Sequence, residues 1–497
     1  MDLKEHGLAY FCKTYQVDPV GDYSIERVPA RELLSPERID VMAKLKYVES
    51  RESGLNVEYA VGLYRRNIEA CTLGMFAELG NEEKETFEDF LKVFDELIDS
   101  IKDSGVDENI SVLPVGNRGF IMDGAHRLSI AAYFNQEVPI IRFDLDETSM
   151  DADFFRQRMT SEEDLDYLAA ELCKWREDLY LCCLWPSASP TEKREAAIGF
   201  LRDYGTVVHR KTIHITYNGL HNLIPQIYSR MDWVGSINDQ FLSATPKVNA
   251  CDGESALDVI LFQGASLASV KDLKERMRAV FNIQEHSLHI SDYPDETLAL
   301  ARMLFHKNTI DFLNNGQPFQ YVQMNRLIYA FSAKIQDAKA SPEDYIIDSG
   351  TVMGLFGFRK PDDLDYLTVD TNRLFEGESN INDHSEELEY YKADLDALLF
   401  DPANYFYYMG LKFITLRVLL DFKKRRDSLK DKEDVKIIEA NLSNERRLRA
   451  LLLKACQYCR RKGRNLAFQF LHRVPFNGYD RARDLYHFIR DLKGRDG

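Results

Sequence analysis

From Glu85 to Lys102, apolar side chains at Phe87, Phe90, Phe94, Leu97, Ile98 and Ile101 recur three or four positions apart with acids and lysines between them. That spacing predicts an amphipathic helix laid on a core. Upstream, an extended start leads into Val28-Pro-Ala-Arg-Glu-Leu-Leu, which reads as a short strand and turn, and then into a helix around Glu37 to Val48. Downstream, Ser111 to Val115 and Gly119 to Met122 read as strands, Arg127 to Phe134 as a small-residue helix, and Val138 to Phe143 as another strand. A helical stretch runs from Ser161 to Leu181 and ends near Trp185-Pro-Ser-Ala-Ser-Pro, the most linker-like hexapeptide of the chain. Beyond it, strand patterns at 212–217, 259–262, 287–290 and 309–313 alternate with helices over 270–280 and after Pro294. Strand candidates at Tyr345-Ile-Ile-Asp and Leu364 to Val369 follow, and basic helices are expected from Leu411 onward.

These elements predict a multidomain α/β and α+β protein divided at 1–185, 186–340 and 341–497. At 497 residues the chain exceeds what one core usually supports. A net charge of -18 disfavours nucleic acid and anionic membranes as partners, so any anionic ligand has to be met by local cations. The eight cysteines are scattered, which suits a reducing compartment. Cys456-x-x-Cys459 lacks a second pair at zinc-like spacing and reads as two cysteines near one helix face. Neither a signal-peptide core nor a run of about 18 apolar residues is present, so a cytoplasmic protein without a membrane span is expected. The sequence leaves a homo-oligomer open.

Candidate chemistry concentrates first at Ile121-Met-Asp-Gly-Ala-His-Arg127, where a strand gives way to a helix. A helix start offers free N–H groups to an anion, Gly124 permits close approach, and Arg127 can grip phosphate oxygens. Asp123 would be a metal ligand or base, and His126 would bind or pass a proton; the plainer alternative is a capped turn with a surface ion pair. With Val112-Leu-Pro-Val before it and Val138-Pro-Ile after it, this run resembles the ParB/sulfiredoxin-like domain, whose members carry a D-G-x-H-R or G-C-H-R phosphate-binding motif. The resemblance covers about the first 150 residues and implies nucleotide phosphate chemistry. Ala125 stands where sulfiredoxins have their reactive cysteine, which argues against sulfinate repair, and the acidic chain without a helix-turn-helix argues against DNA segregation. The free-serine-kinase branch is the better fit. A further catalytic acid is sought in Glu69 or Glu78, with Glu78 preferred.

The second constellation is Asp348-Ser-Gly-Thr-Val-Met-Gly-Leu-Phe-Gly-Phe-Arg-Lys-Pro-Asp-Asp-Leu-Asp. Asp363 and Asp365, two apart on a strand, share a face and can hold Mg²⁺, while the Ser349-Gly350 turn lets backbone amides approach a nucleotide. The alternative is a pair of surface acids on an edge strand. This segment is similar to the polymerase-β-like nucleotidyltransferases, with Ser-Gly in place of the usual Gly-Ser. The resemblance implies a third carboxylate, for which Asp394, Asp396 and Asp401 are all available. Lys430-Asp431-x-x-Asp434 resembles the K-D-x-x-D helix of some antitoxin-associated and LicD-like relatives.

Elsewhere, His286, His289, Asp292, Asp295 and Glu296 read as strand-end histidines and helix-start acids rather than a metal set. Lys423-Lys-Arg-Arg and Arg460-Arg-Lys-Gly-Arg could face an anionic glycan, but lack the interleaved aromatics of a base-stacking surface. The expected function is a kinase acting on a small hydroxyl compound with ATP or ADP, CTP being a further candidate, and Mg²⁺. Asp123, His126 and Glu78 would be catalytic, Gly124, Arg127, Ser349 and Gly350 would bind nucleotide, and Asp363 and Asp365 would hold metal. The order of elements also resembles proteins encoded at bacterial surface-polysaccharide loci, which makes a sugar or polyol the preferred acceptor. The alternative is a nucleotide-operated binding protein with an inactive nucleotidyltransferase-like domain.

Overall fold

The computed structural model describes residues 1–76 and 84–442. Glu78 and the stretch with Cys456, Cys459 and Arg460 lie outside the described residues. The chain is a mixed α/β protein whose described strands form three sheets. It divides into two compact units, Met1–Leu388 with Ala393–Thr415, and Glu389–Lys392 with Leu416 onward; all three sheets belong to the first.

The first sheet has the order β1-β3-β2, from β1 (Glu26–Pro29), β2 (Leu113–Val115) and β3 (Glu137–Arg142). The predicted amphipathic helix is Phe87–Ser104, opened by a capping box between Thr86 and Asp89, and it buries Phe87, Phe90, Phe94, Ile98 and Ile101. The start of the chain is not simply extended. A helix at Ala9–Tyr15 buries Phe11 and Cys12 in a cluster with Val112, Ile141 and Phe143. Gly119 to Met122 forms no strand, only a bridge between Val115 and Ile121, because the Glu147 carboxylate takes the N–H groups of Arg118 and Phe120.

The second sheet, order β5-β6-β4-β7, is antiparallel throughout and joins β4 (Leu179–Leu184), β5 (Val207–Ile213), β6 (Leu257–Gln263) and β7 (Leu288–Ile290). Its strands and the helices Thr191–Tyr204 and Leu267–Phe281 follow the split β-α-β pattern. The expected helix over 161–181 therefore ends at Leu172, and residue 185 directly follows β4, which pairs with β6 and β7 from later in the chain. Every residue of β4 is buried, so the strand carries no polar-apolar alternation to mark it. Residues 309–313 are helical, within Lys307–Asn315, where Thr309, Phe312 and Leu313 are buried at helical spacing and His306 caps the Thr309 N–H.

The third sheet, order β10-β9-β8-β12-β11, holds β8 (Tyr345–Asp348), β9 (Leu364–Thr368), β10 (Ile381–Asp383), β11 (Tyr405–Tyr408) and β12 (Leu411–Ile414). Leu411 begins a strand and not a helix. Met409 and Gly410, both at positive φ, make the tight turn that folds β12 back on β11.

Candidate functional site

The turn at 121–127 starts a helix as expected, Ala125–Tyr133, with Gly124 before it at φ 90. A Cβ there would lie 3.0 Å from the Arg127 guanidinium and 3.1 Å from the Leu113 side chain, so glycine leaves both the backbone twist and the room the turn needs. Asp123 Oδ1 accepts the Gly124 N–H at 2.6 Å, and the Asp123 side chain is exposed, 3.8 Å from Arg127. His126 turns inward instead. It shares a 2.8 Å hydrogen bond with the Tyr64 hydroxyl and stands edge-on to Phe94 at 4.6 Å. Burial first, then nearby Lys44, Lys84 and Arg127, hold its pKa well below the ordinary value. His126 fastens the helix to its neighbours. Glu69 is exposed on the helix Val57–Thr72.

Beneath this turn lies a buried ionic group that no motif announced. Arg38 reaches Asp40 through two nitrogens, at 2.9 and 3.1 Å, and donates to the Ile121 carbonyl at 2.7 Å; Lys44 reaches Asp40 at 3.2 Å and Asn67 at 3.0 Å. The helix Asp40–Ser53 is buried on almost every side, so its charged residues turn inward and must pair there.

The Ser349-Gly350 turn and the Asp363/Asp365 pair do come together, with partners from a third strand. Asp348, the last residue of β8, is fully buried and stands directly opposite Asp365 in the antiparallel β8–β9 pair. Asn382 stands opposite Asp365 on the other side, in the parallel β9–β10 pair. Its amide donates to Asp363 at 3.1 Å and Asp365 at 3.2 Å. His384, two residues on, donates from Nδ1 to Asp348 at 3.2 Å and sets Nε2 3.4 Å from Asp365.

Three strands, with Asp363 just before β9 and His384 just after β10, thereby collect five polar side chains on one face, because side chains two apart along extended chain project the same way. Ligand atoms of Asp348, Asp365 and His384 all lie within 4.8 Å of one another. Burial raises the Asp365 pKa to about 6; His384 opposes the rise, and the like charges of Asp348 and Asp363 add to it. For His384 burial works against the charged form, but the Asp348 hydrogen bond and the two carboxylates outweigh it and raise the pKa to about 9.

Ser349 takes a left-handed backbone, φ 52, at the entry to the helix Ser349–Leu355, and the Arg359 guanidinium lies 3.7 to 3.8 Å from where a Cβ on Gly350 would be. Thr351 ties this helix to the acidic face by donating to the Asp363 carbonyl at 3.2 Å. None of the three acids expected as a third carboxylate takes that place. Asp394 caps the helix Leu395–Phe400, Asp396 accepts the Asn56 N–H, and Asp401 accepts the Ala403 N–H. The carboxylate that stands with Asp363 and Asp365 is Asp348. Its only signal in the sequence is its position just before Ser-Gly at the end of a strand.

The remaining suggestions resolve into structural contacts. His289 bonds Glu296 at 2.8 Å, and Glu296 in turn accepts the Asp292 N–H. In the second unit, Lys423 bridges Asp431 and Asp434 at 2.9 Å each, Arg426 also holds Asp431, and Lys424 pairs with Glu439. The K-D-x-x-D segment and the basic run are thus a clamp between the helices Leu416–Arg426 and Leu429–Leu442. Among the described residues no helix is long and apolar enough to cross a membrane. No family model matches the chain, and neither a curated protein nor a solved structure is similar enough to match it.

Proposed function

We propose that this chain is a nucleotide-dependent transferase of phosphorus-containing groups whose reaction centre is the face carrying Asp348, Asp363 and Asp365. One observation supports this above the others: two carboxylates, Asp348 and Asp365, meet directly across a strand pair, with a third two residues away. Like charges directly opposite each other destabilise a sheet unless a cation lies between them, a place that His384 takes here and that a metal ion would take in the reacting complex. A divalent cation there supplies neutralisation of phosphate charge and activation of a bound hydroxyl.

The protein's own groups position the reactants. Arg359, beside the start of the helix Ser349–Leu355, takes phosphate oxygens of the nucleotide, which is ATP, ADP or CTP. The acceptor is a small hydroxyl compound, a sugar or polyol. Its oxygen forms a new bond to phosphorus as the bond from that phosphorus to the leaving phosphate oxygen breaks. The hydroxyl proton passes to Asp363, the least buried of the three carboxylates. The turn at Asp123–Arg127 serves nucleotide binding through Arg127 rather than the chemical step, since His126 points inward against Tyr64 and Phe94.

The competing reading, a nucleotide-operated binding protein, draws on Asn382, an amide facing Asp363 and Asp365 where a further carboxylate would strengthen the clamp. Turnover separates the two. The full chain is incubated with labelled nucleotide, Mg²⁺ or Mn²⁺, and pools of sugars, polyols and hydroxy amino acids, and products are sought by mass spectrometry. Phosphorylated or nucleotidylated product that vanishes in Asp363→Asn/Asp365→Asn and persists in Asp123→Asn supports the transferase. Bound nucleotide without product supports the switch, and product that survives the double substitution overturns the assignment of the centre.

A further inference from the structure

We infer that Asp348, Asp365 and His384 bind one first-row transition-metal ion of the Mn²⁺ or Zn²⁺ class, with His384 as a nitrogen ligand, in preference to Mg²⁺. The inference rests on the reading of this face as the reaction centre, but it does not need turnover.

The first ground is placement. The three ligand groups come from three chain segments, the end of β8, the start of β9 and the residue after β10, and the strand pairing fixes all of them. Asp348 and Asp365 are 0% and 7% exposed, so neither carboxylate is a solvated surface acid. Two facing buried carboxylates need a cation between them; His384 fills that place here, and a metal ion would take it over as His384 gives up its proton to become a ligand, while the sheet register keeps the carboxylates together.

The second ground is the chemistry of the donor set. Mg²⁺ prefers oxygen ligands in octahedral geometry and keeps several waters. Imidazole beside carboxylate suits Mn²⁺, Fe²⁺ and Zn²⁺. His384 directs both ring nitrogens at the two carboxylates, so its ring already lies against the groups with which it would share an ion. Its backbone N–H donates to the Tyr366 carbonyl at 2.8 Å, which fixes the residue over β9. Asn382 supports the arrangement from the side by holding Asp363 and Asp365.

The test is titration of the metal-free full-length protein with Mn²⁺, Zn²⁺ and Mg²⁺ by calorimetry, together with electron spin-echo measurement of the Mn²⁺ form. One equivalent of Mn²⁺ or Zn²⁺ is expected to bind at least about tenfold more tightly than Mg²⁺. The Mn²⁺ signal is expected to show coupling to an imidazole nitrogen. His384→Gln should reduce Mn²⁺ and Zn²⁺ affinity by about ten- to a hundredfold, leave Mg²⁺ binding nearly unchanged, and erase the nitrogen coupling. Mg²⁺ binding as tight as Mn²⁺, or bound Mn²⁺ without nitrogen coupling in the wild-type protein, overturns the inference. The spin-echo arm needs no variant, so poor folding of His384→Gln leaves it decisive. Nitrogen-coupled Mn²⁺ in a protein that turns over no nucleotide would sink the transferase reading and keep this site; Mg²⁺-supported turnover without nitrogen coupling would do the reverse.

Discussion

Arg38 joins Asp40 to the carbonyl of Ile121, 83 residues later, holding the acid through two nitrogens and the carbonyl at 2.7 Å through a third. The buried pair is therefore a strut under the Asp123–Arg127 turn as well as a local contact. Removing Asp40 leaves Arg38 and Lys44 buried without their carboxylate, whereas removing Arg38 leaves Asp40 still paired with Lys44. Asp40→Asn is expected to cost about 3–5 kcal/mol of stability and Arg38→Ala less, read by denaturant unfolding. Arg38→Ala should also weaken nucleotide binding by loosening the turn. Unfolding curves unchanged from wild type would show that the strut carries no load.

Arg127 and His126 are neighbours with opposite expected behaviour. On the proposed nucleotide role, Arg127→Ala would remove a charge-assisted phosphate contact of about 1.5–3 kcal/mol, so nucleotide affinity should fall by one to two orders of magnitude with little change in stability. His126→Gln gives up aromatic packing and should lower the melting temperature while leaving affinity near wild type. Calorimetry and thermal scans on both variants distinguish these outcomes, and unchanged affinity in folded Arg127→Ala would remove the turn from nucleotide binding.

Asp363 and Asp365 should matter to the chemical step more than to nucleotide binding. Asp365→Asn is expected to lower kcat by roughly a hundredfold or more, with nucleotide affinity changed much less, because charge neutralisation dominates phosphoryl transfer. Asp363→Asn should lower kcat and shift its acid limb if Asp363 takes the proton. Equal manganese binding by wild type and the double variant would remove these two acids from metal binding.

Glu343 ties the helix Pro294–Leu304 to the third sheet. It pairs with Arg302 at 2.9 Å and with Lys412 at 3.4 Å. Burial would raise its pKa, but Arg302 and Lys412 outweigh burial and bring it down to about 2 from an ordinary 4.5. A carboxylate whose pKa is lower when folded contributes stability that is complete above the unfolded value and is lost as the pH falls through the folded one. Glu343→Gln should cost on the order of 3 kcal/mol at pH 7. The gap to wild type should close as the pH drops from about 4.5 toward 2, followed by urea unfolding at each pH. A gap that stays constant over that range would contradict the ion-pair assignment.

What the sequence determined by itself is local. Phe87 to Ile101 repeats at helical spacing, so the helix Phe87–Ser104 follows from periodicity and its Thr86 cap. Asp363 and Asp365 share a face because any strand puts residues two apart on one side. Gly124 marks a turn because few other residues accept its backbone angle. The helix over 307–315 was hidden by strand-like Thr309-Ile310, and β4 by burial on both faces, which removes the alternation a reader relies on. Tertiary structure alone decided that Asp348 faces Asp365, that Asn382 and His384 complete that face, that His126 turns inward, and that Arg38 and Asp40 support the turn. Each depends on which segments pair and in what register. Those choices are set by the summed burial and hydrogen bonding of residues far apart in the chain, and no short window of sequence contains that sum.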